Sequence, residues 1–283
     1  MQDSPNISLT ISVVCYYSAE EELRALLVSL LASLHTLKTY FNVTTTTIYL
    51  IDNSESHSVN LVSFDGLSAE MESLGVELRL LQGQGNVGYG SAHNLAIGKV
   101  SSDYHLILNP DVILESACLS EGVAYLENNQ SAVVVSPYSE DQHGQKQYLC
   151  KRYPTVLTFF VRGFLPVPFR KLFKRRLARY EMHDLIETMP AASVPIVSGC
   201  FMLCRTDKLK AVGGFDEGYF LYFEDFDLSL RLGSLDKLAY LPEMKIKHSG
   251  GHSAKKGMAH VKMFIRSARR FFATHGWRFL RQS

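Results

Sequence analysis

Residues 9–54 read LTISVVCYYSAEEELRALLVSLLASLHTLKTYFNVTTTTIYLIDNS, and this stretch decides the fold. Its first eight residues and residues 45–51 are apolar, β-branched runs, which predict two buried strands. Between them, leucines recur at helical spacing from Leu23 to Leu34, which predicts a helix over 20–37. A strand, a helix and a second strand in this order predict two parallel neighbours in one sheet.

The same alternation continues through the first half of the chain. Further strands are predicted at 76–81, 104–108 and 132–135, with helices from about residue 91 and over 116–126. This order predicts an α/β fold, in which a mainly parallel, Rossmann-like sheet is flanked by helices. Ligands of such sheets bind at the carboxyl ends of the strands. Polar clusters stand at three predicted strand ends, at 52–53, 85–90 and 109–111.

The second half is less regular. One strand is predicted over 195–205, and two short strands at 238–241 and 244–248. We expect residues 1–255 to form one domain made of two halves, one to about residue 112 and one from 113. A basic amphipathic helix is expected over 256–283.

The net charge of +1 conceals a strong asymmetry. Residues 151–180 hold nine Lys and Arg and residues 245–283 hold ten, and neither segment holds an acid. One face is therefore expected to meet an anionic partner. An apolar stripe from Val261 to Phe272 indicates a helix lying on an anionic membrane, or alternatively one packed on the domain. Nucleic acid is not expected as a partner, because no recognition motif accompanies the basic segments.

Cysteine usage and the N-terminus bear on location. Five cysteines without a CxxC pair favour reduced thiols. No secretion signal is apparent, and no apolar run approaches the ~20 residues that cross a bilayer. We expect a cytoplasmic protein.

The segment GQGNVG at 83–88 matches a dinucleotide-binding turn, but it follows the third predicted strand rather than the first. The alternatives are a turn without a ligand and a loop whose backbone amides approach a nucleotide diphosphate. We favour the diphosphate loop, because Asn86, Tyr89 and Asn94 add polar contacts around it.

Two further segments carry candidate ligands for a cation or diphosphate. Asp111, in Asn109-Pro110-Asp111, is a hard oxygen ligand just past a strand, or alternatively a helix N-cap. The 248–256 loop adds His248 and Lys255, which could bind a metal or a diphosphate, or could simply be a solvated turn.

A carboxylate cluster is the main catalytic candidate. Residues 220–231 read FLYFEDFDLSLR and hold Glu224, Asp225 and Asp227 among aromatic residues. Partly apolar surroundings raise the pKa of a carboxylate and suit it to accept a proton near neutral pH. Alternatively, these acids only stabilise a helix N-terminus.

In their order and spacing, seven segments resemble the family 2 glycosyltransferases with the GT-A fold, and in particular their bacterial rhamnosyltransferase-like branch. The matching segments are VVCYYS near the first strand end, IDNS (51–54), GNVGYGSAHN (85–94), LNPD (108–111), SGCFMLCR (198–205), GGFDEGYFLYFEDFDLSLR (213–231) and KHSGGHS (247–253).

The resemblance implies that residues 1–112 form a nucleotide-binding half of the domain and residues 113–255 an acceptor half. It also implies a role for each candidate residue. Asp225 would be the catalytic base, and Asp111 with His248 would bind Mg²⁺ or Mn²⁺. Many relatives have Asp where this chain has Asn109, which weakens the expected metal site. The acceptor side would include Gly199, Gly214 and Glu224. Donor-binding residues would be Tyr16, Asp52, Asn53, Asn86, Gly88, Tyr89, Asn94, Asn109 and Lys255.

The implied activity is inverting transfer of a sugar, with dTDP-L-rhamnose favoured over UDP- and GDP-sugars as the donor. The basic segments favour a glycolipid or lipid-linked glycan acceptor, and a peripheral position on the inner face of the bacterial cytoplasmic membrane. Two alternatives of other classes are an NAD-dependent oxidoreductase and a non-catalytic nucleotide-sugar or glycan-binding protein.

Overall fold

The computed structural model describes residues 5–250 and 257–280. Alternating apolar and β-branched segments form the strands, and amphipathic segments form the helices between them. The strands are β1 (Asn6–Cys15), β2 (Asn42–Asp52), β3 (Val76–Leu81), β4 (Tyr104–Leu108), β5 (Val112–Leu114), β6 (Ala132–Glu140), β7 (Lys146–Gln147), β8 (Cys150–Lys151), β9 (Ile196–Val197), β10 (Phe201–Arg205) and β11 (Lys237–His248). The α-helices are α1 (Glu20–Tyr40), α2 (Ser68–Ser73), α3 (Tyr89–Ile97), α4 (Cys118–Asn128), α5 (Val156–Phe164), α6 (Val167–Arg170), α7 (Lys174–Tyr180), α8 (Thr206–Ala211), α9 (Glu224–Gly233) and α10 (Met258–His275), and 3₁₀ turns cover Leu61–Leu67 and Lys171–Phe173.

One mixed sheet organises the described residues, in the order β3-β2-β1-β4-β10-β6-β11-β5, with β7 paired to β6. Strands β1 to β4 are mutually parallel, whereas β10 runs antiparallel to both β4 and β6. The predicted α/β sheet flanked by helices is therefore confirmed. The carboxyl ends of β1, β2 and β4 lie at one edge, which brings the predicted polar clusters together.

Two strand predictions are wrong in detail. The strand expected over 195–205 divides into β9 and β10, which belong to different sheets, with a turn at 198–200 between them. The two strands expected at 238–248 are one strand, β11, whose register shifts between Leu241 and Lys245. Pro242 lies within that shift, where its missing N–H interrupts the ladder without ending the strand.

The apolar stripe of α10 packs largely on the domain. Phe271 and Phe272 are buried with Phe223 and Tyr153 in an aromatic cluster, while Ile265 stays 46% exposed. The expectation that this aromatic face lies on a membrane is therefore wrong, because burial among rings removes it from contact with lipid.

Charged contacts also hold α10 in place. The carboxylate of Asp227 accepts a hydrogen bond from Arg231 Nε at 2.8 Å and lies 2.7 Å from His275 Nε2. With a side chain only 2% exposed, Asp227 joins α9 to the end of α10 rather than facing a cavity. In the described part of the chain, no helix is long and apolar enough to cross a bilayer. All five cysteines are buried and unpaired.

Candidate active site

A cavity of about 770 Å³ lies at the carboxyl ends of the parallel strands, where the sequence predicted a ligand site. It extends from the end of β1, past the glycine loop before α3, to the turn after β4. Seven of the predicted site residues line it, namely Tyr16, Asn53, Asn86, Gly88, Tyr89, Asn109 and Asp111.

Asn53 holds the glycine loop against the end of β2. Its side-chain nitrogen Nδ2 donates to Asn86 Oδ1 (3.1 Å) and to the Gly88 carbonyl (3.2 Å). Its Oδ1 accepts a hydrogen bond from the backbone amide of Val87 (3.2 Å). The side chain is almost fully buried. Asn53 therefore shapes the floor of this first cavity.

Gly88 permits close contact between the glycine loop and the segment before α9. Its φ is 90° and its ψ is 166°, a backbone region that is essentially confined to glycine. A Cβ at this position would lie 2.4 Å from the Phe220 carbonyl oxygen, and the amide of Tyr89 donates to that same oxygen at 3.1 Å. Only glycine fits this approach.

Tyr89 links the turn after β4 to the turn before β10. Its hydroxyl is 2.9 Å from Asn109 Oδ1 and 2.6 Å from the carbonyl oxygen of Gly199. Burial raises the pKa of Tyr89 well above its ordinary value, so the hydroxyl stays a neutral donor. The amide of Asn109 is thus oriented, with its Nδ2 3.4 Å from His248 Nε2.

His248 presents a defined ring nitrogen to Asp111. Gln147 Nε2 donates to the His248 carbonyl (3.0 Å), which leaves Gln147 Oε1 to accept from His248 Nδ1 (2.9 Å). The Nε2 atom on the other side of the ring lies 3.4 Å from Asp111 Oδ1. A neutral ring with its proton on Nδ1 is the tautomer that binds a metal through Nε2, with Gln147 as its orienting partner.

This donor set fits a divalent cation held jointly with a diphosphate. Asp111 and His248 are 10% and 15% exposed at their side chains. No group of three His, Cys, Asp or Glu able to hold a metal occurs among the residues described. One carboxylate and one imidazole suffice only where phosphate oxygens complete the coordination. Asn109 is a weaker metal ligand than a carboxylate, because its side-chain amide carries no charge.

A second cavity, of about 730 Å³, adjoins the first and contains the predicted catalytic acids. Leu221 and His260 line both cavities, and the ring of His260 is 3.0 Å from the Tyr222 hydroxyl. The residues lining the second cavity are Phe159, Arg162, Gly163, Arg170, Tyr180, Leu221, Tyr222, Phe223, Glu224, Asp225, Phe226, His260, Val261 and Phe264.

The backbone before the acids is strained. Tyr222 and Phe223 both have positive φ, 72° and 68°, which non-glycine residues rarely adopt. Such strain is concentrated at functional sites, where the surrounding packing maintains it. Here it starts α9 at Glu224 and brings Asp225 against Gly199, where a Cβ would lie 3.1 Å from that of Asp225.

The two acids differ in their hydrogen bonding. Asp225 accepts from the amides of Gly199 and Phe226, each at 2.9 Å, whereas Glu224 Oε2 is buried without a hydrogen-bond partner. Burial first, and the neighbouring Asp225 charge second, raise the pKa of Glu224 to about 8. Burial also raises the pKa of Asp225, but the amide hydrogen bonds counter that rise. With a pKa of about 8, Glu224 is protonated at neutral pH, whereas the amide hydrogen bonds of Asp225 favour its charged form.

Lys151 is a nearby charge that the sequence did not single out. It is 9% exposed, and its charge favours the ionised form of Asp225. Burial, followed by the charge of Arg162, lowers the pKa of Lys151 to about 8. Neither Lys151 nor Gln147 belongs to a recognisable motif, so only their positions in space reveal them.

Some predicted residues lie elsewhere. Asp52 is fully buried, and its two oxygens accept from Ser54 and Val59 in the following loop. Burial raises the pKa of Asp52, but these hydrogen bonds outweigh it and leave the pKa below its ordinary value. Asp52 thus shapes the loop instead of lining the cavity, contrary to its expected contact with a nucleoside. Lys255 lies outside the described residues.

Asn94 and Gly214 belong together, away from both cavities. The side chain of Asn94 bonds the amide and carbonyl of Phe215, each at 2.9 Å. A Cβ on Gly214, whose φ is 68°, would lie 2.5 Å from Asn94 Oδ1. This pair holds the loop at 213–217, and its expected contacts with donor and acceptor stay predictions.

Comparison with known proteins identifies the family. The description "Glycosyl transferase family 2" fits residues 11–213, well over half of the chain. This protein belongs to glycosyl transferase family 2. Its relatives include the rhamnosyltransferase WbbL of Escherichia coli K12, 29% identical over 59% of this chain and 63% of that protein. Another is the N-acetylglucosaminyl-diphospho-decaprenol L-rhamnosyltransferase of Mycobacterium tuberculosis, 27% identical over 71% of this chain and 69% of that protein.

Solved structures share the fold at low sequence identity. GalNAc-T7 with UDP, GalNAc and Mn²⁺ has a TM-score of 0.62 and 14% identity, covering 93% of this chain and 48% of that one. The mannosyltransferase PcManGT from Pyrobaculum calidifontis, with GDP-Man and Mn²⁺, has a TM-score of 0.57 and 14% identity, covering 87% and 58%. The family 2 chain therefore has the GT-A fold, as its motifs predicted. It spans 63% of WbbL and about half of GalNAc-T7.

Proposed function

We propose that this family 2 protein is an inverting glycosyltransferase that uses a nucleotide sugar. The observation that carries the proposal is the junction of two cavities, one with the glycine loop and Asp111, the other with Asp225. A donor in the first cavity and an acceptor in the second would meet beside Leu221 and His260. Holding two reactants in contact is itself a large part of such catalysis.

Asp225 is the proposed general base. An acceptor hydroxyl beside its carboxylate would lose its proton to Asp225 as the oxygen attacks the anomeric carbon of the donor. The bond from that carbon to the diphosphate oxygen breaks in the same displacement, which inverts the configuration. Glu224, protonated at neutral pH, adds no second charge that would compete for the proton.

Asp111 and His248 would hold a divalent cation together with the donor diphosphate. A bound Mg²⁺ or Mn²⁺ would supply positive charge that stabilises the leaving diphosphate. Gln147 keeps His248 in the required tautomer, and Tyr89 keeps Asn109 turned toward it. Structures of two fold neighbours, GalNAc-T7 and PcManGT, contain Mn²⁺ with a nucleotide or nucleotide sugar.

The named activities of the relatives favour L-rhamnose from dTDP-L-rhamnose as the donor, with UDP- and GDP-sugars as the alternatives. The mycobacterial relative is named for a diphospho-decaprenol acceptor. We propose a lipid-linked glycan acceptor of the same chemical class, used in building a cell-surface polysaccharide or lipopolysaccharide at the inner face of the cytoplasmic membrane.

Exposed cations are the proposed contacts with anionic lipid. Lys262, Arg266 and Arg269 form the outer side of α10, around the exposed Ile265. Liposome flotation with and without phosphatidylglycerol tests this contact. Flotation under neither condition would contradict it.

A donor screen tests the transferase proposal. The protein is incubated with Mg²⁺ or Mn²⁺ and individual dTDP-, UDP- and GDP-sugars, and binding and release of nucleotide diphosphate are measured. We expect one donor, dTDP-L-rhamnose, to bind and to be hydrolysed slowly. Binding of NADH in place of every nucleotide sugar would overturn the proposal.

A further inference from the structure

We infer that Arg162 and Arg170 form the binding site for the diphosphate of an isoprenoid-linked acceptor. The inference rests on the proposed transferase function and assigns a ligand to the second cavity. Among the described residues, these two guanidinium groups are the lysine or arginine side chains that line the cavity containing Asp225. Guanidinium groups bind phosphate oxygens through charge-assisted hydrogen bonds.

The two arginines are held at the cavity without strong acidic partners. Arg162 is 3.8 Å from Glu181 and its side chain is 49% exposed, so this ion pair is long and exposed to solvent. The same guanidinium lies 6.0 Å from the centre of the Tyr180 ring. Arg170, the last residue of α6, donates through Nε to the carbonyl of Leu165 at 2.8 Å, which ties its side chain to the segment between α5 and α6.

The rest of the cavity wall suits an acceptor with a sugar and an apolar chain. Phe159, Phe223, Phe226 and Phe264 line it, and such aromatic walls exclude water around bound groups. If Asp225 takes a proton from the sugar, the sugar lies at that end, and its diphosphate lies further along the same cavity. The guanidinium groups supply the cations that this diphosphate requires.

Exposed apolar side chains neighbour these lining residues in the chain. Phe160 follows Phe159 on α5 and is 54% exposed, Phe169 precedes Arg170 and is 57% exposed, and Leu172 is 80% exposed. All three lie within residues 160–172, the segment that carries both arginines, and exposed apolar surface beside a cavity marks contact with a membrane or ligand. The prenyl chain of the acceptor would leave the cavity over this surface.

Farnesyl diphosphate is the probe, and isothermal titration calorimetry is the measurement. The donor cavity is first filled with dTDP, so that the probe reports on the second cavity. Inorganic pyrophosphate tests the charge alone, farnesol tests the apolar chain alone, and phosphatidylglycerol vesicles test binding to a lipid surface. We expect farnesyl diphosphate to bind more tightly than pyrophosphate or farnesol.

The double substitution Arg162→Gln and Arg170→Gln should weaken farnesyl diphosphate binding at least about tenfold, as expected for lost hydrogen bonds between charged groups. The matched control is Lys171→Gln with Lys174→Gln, which removes two exposed cations of the same segment that do not line the cavity. The control should keep wild-type affinity for the probe. Thermal unfolding confirms that both variants are folded.

Three results would overturn the inference: no binding by the wild-type protein, equal weakening in both double variants, or binding only in the presence of vesicles. Failure of the proposed function is distinguishable from these. If dTDP, UDP and GDP all fail to bind, the transferase proposal fails, whereas the arginine site is judged on farnesyl diphosphate alone.

Discussion

The carbonyl oxygen of Phe220 accepts a hydrogen bond from the backbone amide of Tyr89 at 3.1 Å. This bond joins the glycine loop of the donor cavity to the segment that leads, through the strained Tyr222 and Phe223, into the acids of α9. The position of Asp225 is therefore coupled to the conformation of the donor loop. We expect a bound donor that orders one element to order the other as well.

Gly88→Ala should separate these two elements. The new Cβ would lie 2.4 Å from the Phe220 oxygen, so the loop or the segment before α9 must move. We expect donor affinity to fall at least about tenfold, because the amides that approach the diphosphate are displaced. Donor affinity is measured by calorimetry.

The control is Gly83→Ala. Gly83 also has a positive φ, 95°, but a Cβ there meets nothing within 4 Å. That variant should lose about 1 kcal/mol of stability from backbone strain and keep its donor affinity. Equal loss of affinity in both variants would show that backbone strain, rather than the contact with Phe220, is responsible.

Asp225→Asn should abolish turnover while donor binding persists. An amide of the same size cannot take the acceptor proton, and a loss of about 10² to 10⁴ in turnover is typical for such a group. The measurement is initial rate and donor affinity on the same preparation. Asp207→Asn, at an acid whose side chain is 67% exposed on α8, is the control and should behave as wild type. Near-wild-type turnover of the Asp225 variant would remove it as the base.

Glu224→Gln should stabilise the protein as pH rises. The folded pKa of about 8 exceeds the ordinary value of 4.5, so the folded state retains a proton that the unfolded state loses. The free energy of unfolding of the wild type therefore falls between these two pKa values, by up to about 1.4 kcal/mol per pH unit from this group. Glutamine removes that dependence.

Denaturant unfolding of the wild type and of the Glu224→Gln variant, at about pH 5 and about pH 7.5, measures this pH dependence of the free energy of unfolding. We expect the variant and the wild type to differ little at the lower pH, and the variant to be more stable at the higher pH. If the variant and the wild type have equal free energies of unfolding at about pH 5 and again at about pH 7.5, the carboxyl of Glu224 titrates normally.

Gln147→Leu should weaken cation binding. Leucine cannot accept from His248 Nδ1, so the tautomer with a free Nε2 lone pair is no longer favoured. Loss of such an orienting partner costs about 10- to 100-fold in metal affinity. Titration with Mn²⁺ in the presence of dTDP, followed by electron paramagnetic resonance, measures this affinity.

Gln130→Leu, at an exposed position, is the control for this change. Asn109→Asp is the complementary variant, because it adds a carboxylate beside Asp111 and should tighten Mn²⁺ binding. If the affinity for Mn²⁺ is unchanged in both Gln147→Leu and Asn109→Asp, as in the control, the cation lies away from His248.

Several features of the site were predictable from local sequence. The apolar run to Cys15, the alternation of strands and helices, and Asn53, Gly88 and Asp111 at strand ends all follow from patterns within a few residues. Parallel strands bring their carboxyl ends to one edge whatever the details of packing. The location of the first cavity, at the carboxyl ends of the parallel strands, was therefore predictable from the sequence.

Other features depended on contacts between distant segments. Asn94 and Asn53 have the same chemistry, but only the fold turns Asn53 toward the donor loop and Asn94 toward Phe215. Gln147 was overlooked because its partner, His248, is 101 residues away. Likewise, the apolar stripe of α10 is compatible in sequence with contact to lipid or to protein, and the burial of Phe271 and Phe272 decides for protein.

Short-range periodicity and motif spacing were enough to establish the succession of strands and helices along the first half of the chain, the family and the residue types available for catalysis. Only the tertiary structure decided which carboxylates lie in a cavity. Asp227 pairs with Arg231 and His275, whereas Asp225, two residues earlier, faces the acceptor cavity. The physical reason is that burial, hydrogen bonding and pKa are set by neighbours in space, which a linear pattern does not specify.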